Sequence, residues 1–204
     1  MPAAIDFYFD FSSPYAYLSS FRIDELAARF GRTVTWRPYM MGAALKLSGR
    51  PISMNGSMDG TIAADYLRKD VERGARLDKR PFKWPPKFPV NGVHAGRLYY
   101  YLMTHDAEQA KPFARDIFAS CFGLGLDISD AQTVIDVAAK HHITAAQAQL
   151  LLNDADIKEQ LRAATDAALA LGVFGSPFFI IDGESFWGND RLWQVKRWLD
   201  WGGW

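Results

Sequence analysis

Residues 5–37, IDFYFDFSSPYAYLSSFRIDELAARFGRTVTWR, decide the fold. From Ile5 to Phe11 the chain alternates: Ile5, Phe7, Phe9 and Phe11 share one face, and Asp6, Tyr8 and Asp10 share the other. A period of two in aromatic residues is the signature of a strand. Ser13 then stands before Pro14, an N-cap followed by a proline at the first helical position. Leu18, Phe21, Leu26 and Phe30 give one helix an apolar stripe, and Gly31 suits its left-handed end. Thr33–Arg37 is a second short strand. Strand, helix, strand predicts a parallel βαβ unit, because parallel neighbours need a crossover.

The other end of the chain returns to β structure. Pro177–Ile181, an Asp182-Gly183 turn and Glu184–Trp187 predict a hairpin. Asn189 or Asp190 then caps a closing helix that buries Leu192, Val195 and Leu199. Helical signals fill the middle: Thr61–Gly74, Gly92–His105, Lys111–Phe122 and a long helix marked by Ile157, Leu161, Ala164, Ala168 and Leu171. Ser129 with Gln132, and Thr144 with Gln147, have capping-box spacing. KRPFKWPPKFP, residues 79–89, is too rich in proline for a regular helix. The expected fold is α/β: a thioredoxin-like βαβ…ββα sheet with a large internal all-helical insertion. Residues 1–41 and 173–204 form the discontinuous sheet domain, and 42–172 the helical domain.

Composition narrows the function. The 204 residues are 49% hydrophobic, enough for a core. Lys+Arg and Asp+Glu both number 23, so no broad basic field exists to hold nucleic acid or an anionic membrane. The opening MPAAIDFYFD lacks a basic segment followed by an apolar one, and no apolar run reaches the roughly 18–20 residues of a membrane span. A cytoplasmic location is the expectation. Cys121 is the single cysteine, which excludes an intrachain disulfide or a multi-cysteine metal site. His94, His105 and the pair His141-His142 lack metal-ligand spacing, so no metal is expected. Cys121 shares a helical face with Phe113 and Ile117, the pattern of a buried thiol.

Three segments carry candidate chemistry. Ser13-Pro14-Tyr15-Ala16 opens a helix, where free N–H groups favour an anion such as a thiolate; it is also an ordinary helix start. Ser176-Pro177 enters a strand, and a cis bond there would turn the Ser176 N–H and C=O toward an extended ligand. Gly188-Asn189-Asp190 combines a glycine turn with a carboxylate that suits an ammonium group, or is simply a turn with an Asx cap. Tyr99-Tyr100-Tyr101, with Trp84 and Phe88, either lines an apolar slot or packs in the core. The basic run Lys79, Arg80, Lys83 and Lys87 either covers a site or is a solvated loop.

Together FYFDFSSPYAYL and GVFGSPFFIIDGESFWGNDRL closely resemble the 2-hydroxychromene-2-carboxylate isomerases, relatives of kappa-class glutathione transferases. Both groups sit in the disulfide-oxidoreductase-A-like branch of thioredoxin folds. The resemblance implies that Ser13 matches the active-site serine, with Ser12 standing where relatives often carry an apolar residue. It implies that Ser176, ahead of a cis Pro177, pairs with the cysteinyl unit of glutathione, and that Gly188, Asn189 and Asp190 hold the γ-glutamyl end. In the looser middle, Lys46 and Asn55 fall at or near positions used for substrate.

A redox relative would need Cys-x-x-Cys at residues 13–16; Ser-Pro-Tyr-Ala cannot exchange disulfides. Ser13 keeps a hydrogen-bond donor, whose reasonable task is to stabilise another molecule's thiolate. The resemblance therefore implies a glutathione-dependent isomerase of aromatic catabolism. It would interconvert 2-hydroxychromene-2-carboxylate and trans-o-hydroxybenzylidenepyruvate by reversible thiolate addition, with glutathione as cofactor. A kappa-like glutathione transferase and a non-catalytic glutathione- or peptide-binding module are the alternatives. The expected partners are a small aromatic hydroxy-carboxylate and glutathione, and the tail WLDWGGW suits a homodimer contact.

Overall fold

Strand β1, Ile5–Phe9, lies inside the sheet, and both of its edges are paired. Strand β2, Val34–Pro38, runs parallel to it from Ile5↔Val34 to Phe9↔Pro38. On its other side β3, Phe178–Ile181, runs antiparallel with Phe7 opposite Phe179, and β4, Glu184–Trp187, pairs antiparallel with β3. The order is β2-β1-β3-β4 in this computed structural model, which describes residues 3–43 and 61–204. Lys46 and Asn55 lie outside the described residues. The hairpin turn has positive φ at Asp182 (53°) and Gly183 (88°), the mirror-image turn whose twist matches antiparallel strands. This is the thioredoxin-like α/β fold expected from the two ends of the sequence.

Alternation along β1 becomes burial. Ile5, Phe7 and Phe9 are fully buried, and Phe7 stacks on Phe179 at 5.4 Å and meets Trp36 edge-on at 5.2 Å. Each such ring removed from water contributes about 1.5–3 kcal/mol. One buried cluster continues from these strands through Tyr17 and Leu18 to Phe113, Phe118, Phe122 and Val134 of the helical region. Among the described residues that region holds helices α3 (Ile62–Leu77), α4 (Val93–His105), α5 (Ala107–Phe118), α6 (Ala131–Ala138), α7 (Ala145–Leu151) and α8 (Ala155–Ala170). None of the helices among the described residues is long and apolar enough to cross a membrane.

The first helix departs from expectation, because it is two. Helix α1 spans Pro14–Ser20 and α2 spans Ile23–Ala28. At the break the Ser20 hydroxyl donates to the Tyr17 carbonyl at 2.7 Å, and Arg22 N–H reaches Ser19 O, three residues back. Serine side chains compete with the helix ladder in this way. The break leaves Phe21 packed on Tyr17 at 4.9 Å, while Asp24 of α2 binds Lys111 and Arg115.

Two helix starts also differ from the sequence expectation. Thr144 and Gln147 do form a reciprocal capping box, but Asp130, not Ser129, caps α6. Ser129 Oγ instead accepts from Asn91 N–H at 2.7 Å, a partner 38 residues away. The closing helix, α9 (Leu192–Trp201), follows a 3₁₀ turn at Asn189–Arg191, and neither Asn189 nor Asp190 caps it. Both side chains have other partners near the cleft. Helix α5 begins at Ala107 rather than Lys111 and passes into a π-helical turn, Ala119–Gly123, where Cys121 is fully buried.

The aromatic alternatives separate cleanly. Tyr99 and Tyr100 donate to the carbonyls of Trp36 and Pro38 at 2.8 and 2.7 Å, fastening α4 to β2. Trp84 and Phe88 pack with Phe82 and Phe122. In the basic run, Lys83 N–H donates to Phe122 O, and the Arg80 guanidinium sits 4.2 Å from the centre of the Phe21 ring. Trp193 and Trp201 on α9, with Trp204 beyond it, are exposed.

Candidate active site

The carboxyl end of β1 meets the loops before β3 and after β4. Three side-chain bonds knit them together. Asp10 N–H donates to Ser176 Oγ at 2.9 Å, Ser13 Oγ donates to the Ser176 carbonyl at 2.9 Å, and Ser19 Oγ donates to Asn189 Oδ1 at 2.8 Å. Two further bonds add to these: Gly188 N–H reaches Pro177 O at 3.0 Å, and the Tyr39 hydroxyl donates to Gly175 O at 2.8 Å. The Ser176–Pro177 bond is cis. Segments some 160 residues apart in sequence thus converge on one spot.

Ser13 is only 4% exposed and has two roles there. As N-cap of α1 its Oγ accepts from Ala16 N–H at 3.2 Å, while its proton is given to Ser176 O. A hydroxyl has one proton and two acceptor lone pairs. In this state the donor is therefore spent on the protein itself.

Beneath this pair lies Asp10, a buried carboxylate. Its Oδ1 accepts from Ser12 N–H at 2.8 Å and its Oδ2 from Met41 N–H at 2.7 Å. Burial pushes its pKa up, and the bonds from Ser12 and Met41 oppose that rise. Asp10 therefore ties the β1–α1 loop to the chain leaving β2.

Glycines give the site its shape. A Cβ on Gly175 would stand 2.1 Å from Trp187 Nε1, so only hydrogen lets the indole lie across this loop. Gly188 has φ of 112°, and a Cβ there would meet Asp190 Oδ1 at 2.5 Å.

Outside these contacts opens a cleft of about 510 Å³, lined by Ser176, Pro177, Gly188, Asn189 and Asp190 on one side. Among the described residues Tyr15, Tyr66, Asp70, Trp187 and Arg191 line it as well. The Tyr15 hydroxyl donates to Asp70 Oδ2 at 2.8 Å, bridging α1 and α3. Burial, then Asp70 and the neighbouring charges, push the Tyr15 phenol up, so it stays protonated. Asp190 Oδ2 and Arg191 Nη1 pair at 2.7 Å, setting both signs of charge side by side at the cleft edge.

Of the residues singled out from sequence, Ser13, Ser176, Pro177, Gly188, Asn189 and Asp190 meet here. Ser13 lies behind Ser176 rather than on the cleft wall. Tyr15 and Arg191 lie inside segments 13–16 and 187–191, where residue type alone points to no part for them. Tyr66 and Asp70 carried only a helical pattern, which does not reveal that α3 packs beside α1. From sequence Asp10 has only the place of a polar residue on one side of a strand. Its extra signal, an acid between two phenylalanines at a strand end, became meaningful only with its donors visible.

A family model, the DSBA-like thioredoxin domain, matches residues 4–200. A 2-hydroxychromene-2-carboxylate isomerase from Sphingobium xenophagum is 31% identical over 200 residues, spanning 98% of this chain and 99% of the relative. One from Pseudomonas putida is 28% identical, with 94% and 92% covered. Glutathione S-transferase kappa 1 of Rattus norvegicus is 25% identical, with 94% and 88% covered. A solved structure of 2-hydroxychromene-2-carboxylate isomerase superposes with a TM-score of 0.86 at 27% identity, covering 97% of this chain and 94% of that one.

Proposed function

We propose that this chain, which belongs to the DSBA-like thioredoxin domain family and within it to the 2-hydroxychromene-2-carboxylate isomerases, is a glutathione-dependent isomerase. Its reaction on this reading interconverts 2-hydroxychromene-2-carboxylate and trans-o-hydroxybenzylidenepyruvate. The observation that carries the reading is a hydroxyl, Ser13, bonded to the main chain ahead of Pro177 at the place where a redox relative needs a thiol. The chain's single thiol, Cys121, lies elsewhere. Cys121 is fully buried in the π-helical turn, and burial pushes its thiol up, away from the reactive thiolate form.

The residues present fit glutathione. A cleft of about 510 Å³ is within the usual range for small-molecule sites, about 300–1,000 Å³. The adjacent Asp190 carboxylate and Arg191 guanidinium complement the ammonium and carboxylate of a γ-glutamyl head. Ser176 offers main-chain groups to the middle of an extended tripeptide. When bound, glutathione supplies a thiolate nucleophile that adds reversibly to a conjugated double bond.

The protein's own residues bind, orient and hold a proton. Asp190 and Asn189 hold the glutamyl end; Ser176 and Pro177 align the middle. Ser13 offers its hydroxyl proton to the sulfur, and a hydrogen bond to a charged group contributes about 1.5–3 kcal/mol. Lys46 and Asn55 remain the proposed contacts to the substrate carboxylate. A cytoplasmic homodimer is part of the same reading, with the exposed Trp201 and Trp204 as its proposed contact.

The test is turnover of 2-hydroxychromene-2-carboxylate by the purified chain with and without glutathione. Turnover that requires glutathione and leaves it unconsumed supports the isomerase; equal rates without it refute the mechanism. The 25% identity to a kappa transferase favours one second reading, conjugation of electrophiles. Mass spectrometry separates the two, since a transferase accumulates a stable conjugate and an isomerase does not.

A further inference from the structure

The Ser13 hydroxyl, as it stands, points the wrong way for a thiolate. A carbonyl only accepts, so the 2.9 Å bond to Ser176 O fixes the hydroxyl proton on that oxygen. One Oγ lone pair is used by Ala16 N–H at 3.2 Å. The remaining lone pair can receive a proton but cannot give one. In this state Ser13 suits a neutral S–H and repels a bare sulfur anion.

Rotating the proton toward a sulfur strips the Ser176 carbonyl of its donor, which is costly where nothing replaces it. A replacement donor is therefore the natural trigger. We infer that the Ser176 carbonyl is a positioning group: it holds the Ser13 hydroxyl away from the sulfur until a main-chain N–H of the bound ligand takes its place. The released hydroxyl then donates to the sulfur, and the thiol proton leaves to water. Ser176 Oγ, which accepts from Asp10 N–H, keeps the carbonyl aimed throughout. This control rests on the glutathione reading above. It makes ionisation conditional on correct docking, so a free thiol entering without a peptide N–H is not activated.

The test uses the intact wild-type protein and two ligands, glutathione and an analogue methylated on the cysteinyl nitrogen, which cannot donate there. Ultraviolet absorbance of the thiolate is followed against pH, with saturation checked by tryptophan fluorescence. Bound glutathione is expected to titrate below the ordinary cysteine thiol value of about 8.5. The bound analogue is expected to show roughly tenfold less thiolate at pH values below both midpoints. Equal midpoints below the ordinary thiol value overturn the inference and leave the proposed function standing. No downward shift for glutathione itself overturns both.

A second arm does not depend on the analogue. Ser13→Ala removes the hydroxyl that occupies the carbonyl. At acidic pH, where bound sulfur keeps its proton, the variant should bind glutathione at least as tightly as wild type. Above the titration it should bind about tenfold more weakly. Weakening by one constant factor at every pH contradicts the inference, and this arm decides should the analogue fail to bind.

Discussion

The chain uses the dipeptide Ser-Pro at two places, and the two serve the site by opposite means. At Ser13-Pro14 the side chain works: it caps α1 and gives its hydroxyl proton to the Ser176 carbonyl. At Ser176-Pro177 the main chain works: its carbonyl receives that proton, while the side chain is a fixed acceptor for Asp10 N–H. Identical residues thus divide into a chemical role and a positioning role. What separates them is the element that follows, a helix in one case and a central strand in the other.

The sharpest way to break this division is Ser13→Ala. Loss of a hydrogen bond to a charged sulfur, about 1.5–3 kcal/mol, predicts a turnover decrease of roughly 10- to 150-fold. Lost capping should lower stability by only about 1 kcal/mol, so steady-state kinetics and thermal melting should diverge. A loss of turnover no larger than the loss of folded protein would return Ser13 to a plain helix start.

Gly175→Val probes the support beneath the second serine. The new side chain collides with the Trp187 indole, and overpacking of this kind costs about 1–3 kcal/mol. Urea denaturation reports the cost, and a changed tryptophan emission reports the displaced ring. Ser176→Ala should cost about 1–2 kcal/mol, because the buried Asp10 N–H loses its acceptor. Its turnover should fall less than that of Ser13→Ala, since the carbonyl remains. A larger fall would reverse the roles assigned to the two serines.

Asp10→Asn sharpens the comparison through pH. The folded-state pKa of Asp10 is raised above the unfolded value of 3.8, so the native state holds its proton more tightly. The stability this contributes is present below the unfolded value and is lost as pH rises through the folded one. Melting curves should show that decline in the wild type and its absence in the variant. Thr144→Ala is the remote control and carries the least weight for the site. Its capping box on α7 is exposed, so about 0.5–2 kcal/mol of stability should go with turnover unchanged.

Much of this was legible before any coordinates. Period-two aromatics in β1, the Asp182-Gly183 turn and Gly31 at φ of 64° are local signals, and local chemistry decided each of them. Their order along the chain was enough to bring both Ser-Pro segments to one end of the sheet. The failures share a cause: tertiary partners outbid local ones. Ser129 had the spacing of a cap but bonds Asn91, and Asn189 had the residue type of a cap but receives Ser19. Tyr15 with Asp70 is a bridge across 55 residues, and no periodicity within either helix announces it. The direction of the Ser13 proton was beyond sequence as well, because it depends on which carbonyl stands opposite.

The most direct measurement is a crystal structure of the chain with glutathione bound. The account predicts the sulfur within hydrogen-bonding distance of Ser13 Oγ, with a main-chain N–H of the tripeptide on the Ser176 carbonyl. A sulfur turned away from Ser13, toward solvent or toward another donor, would contradict it.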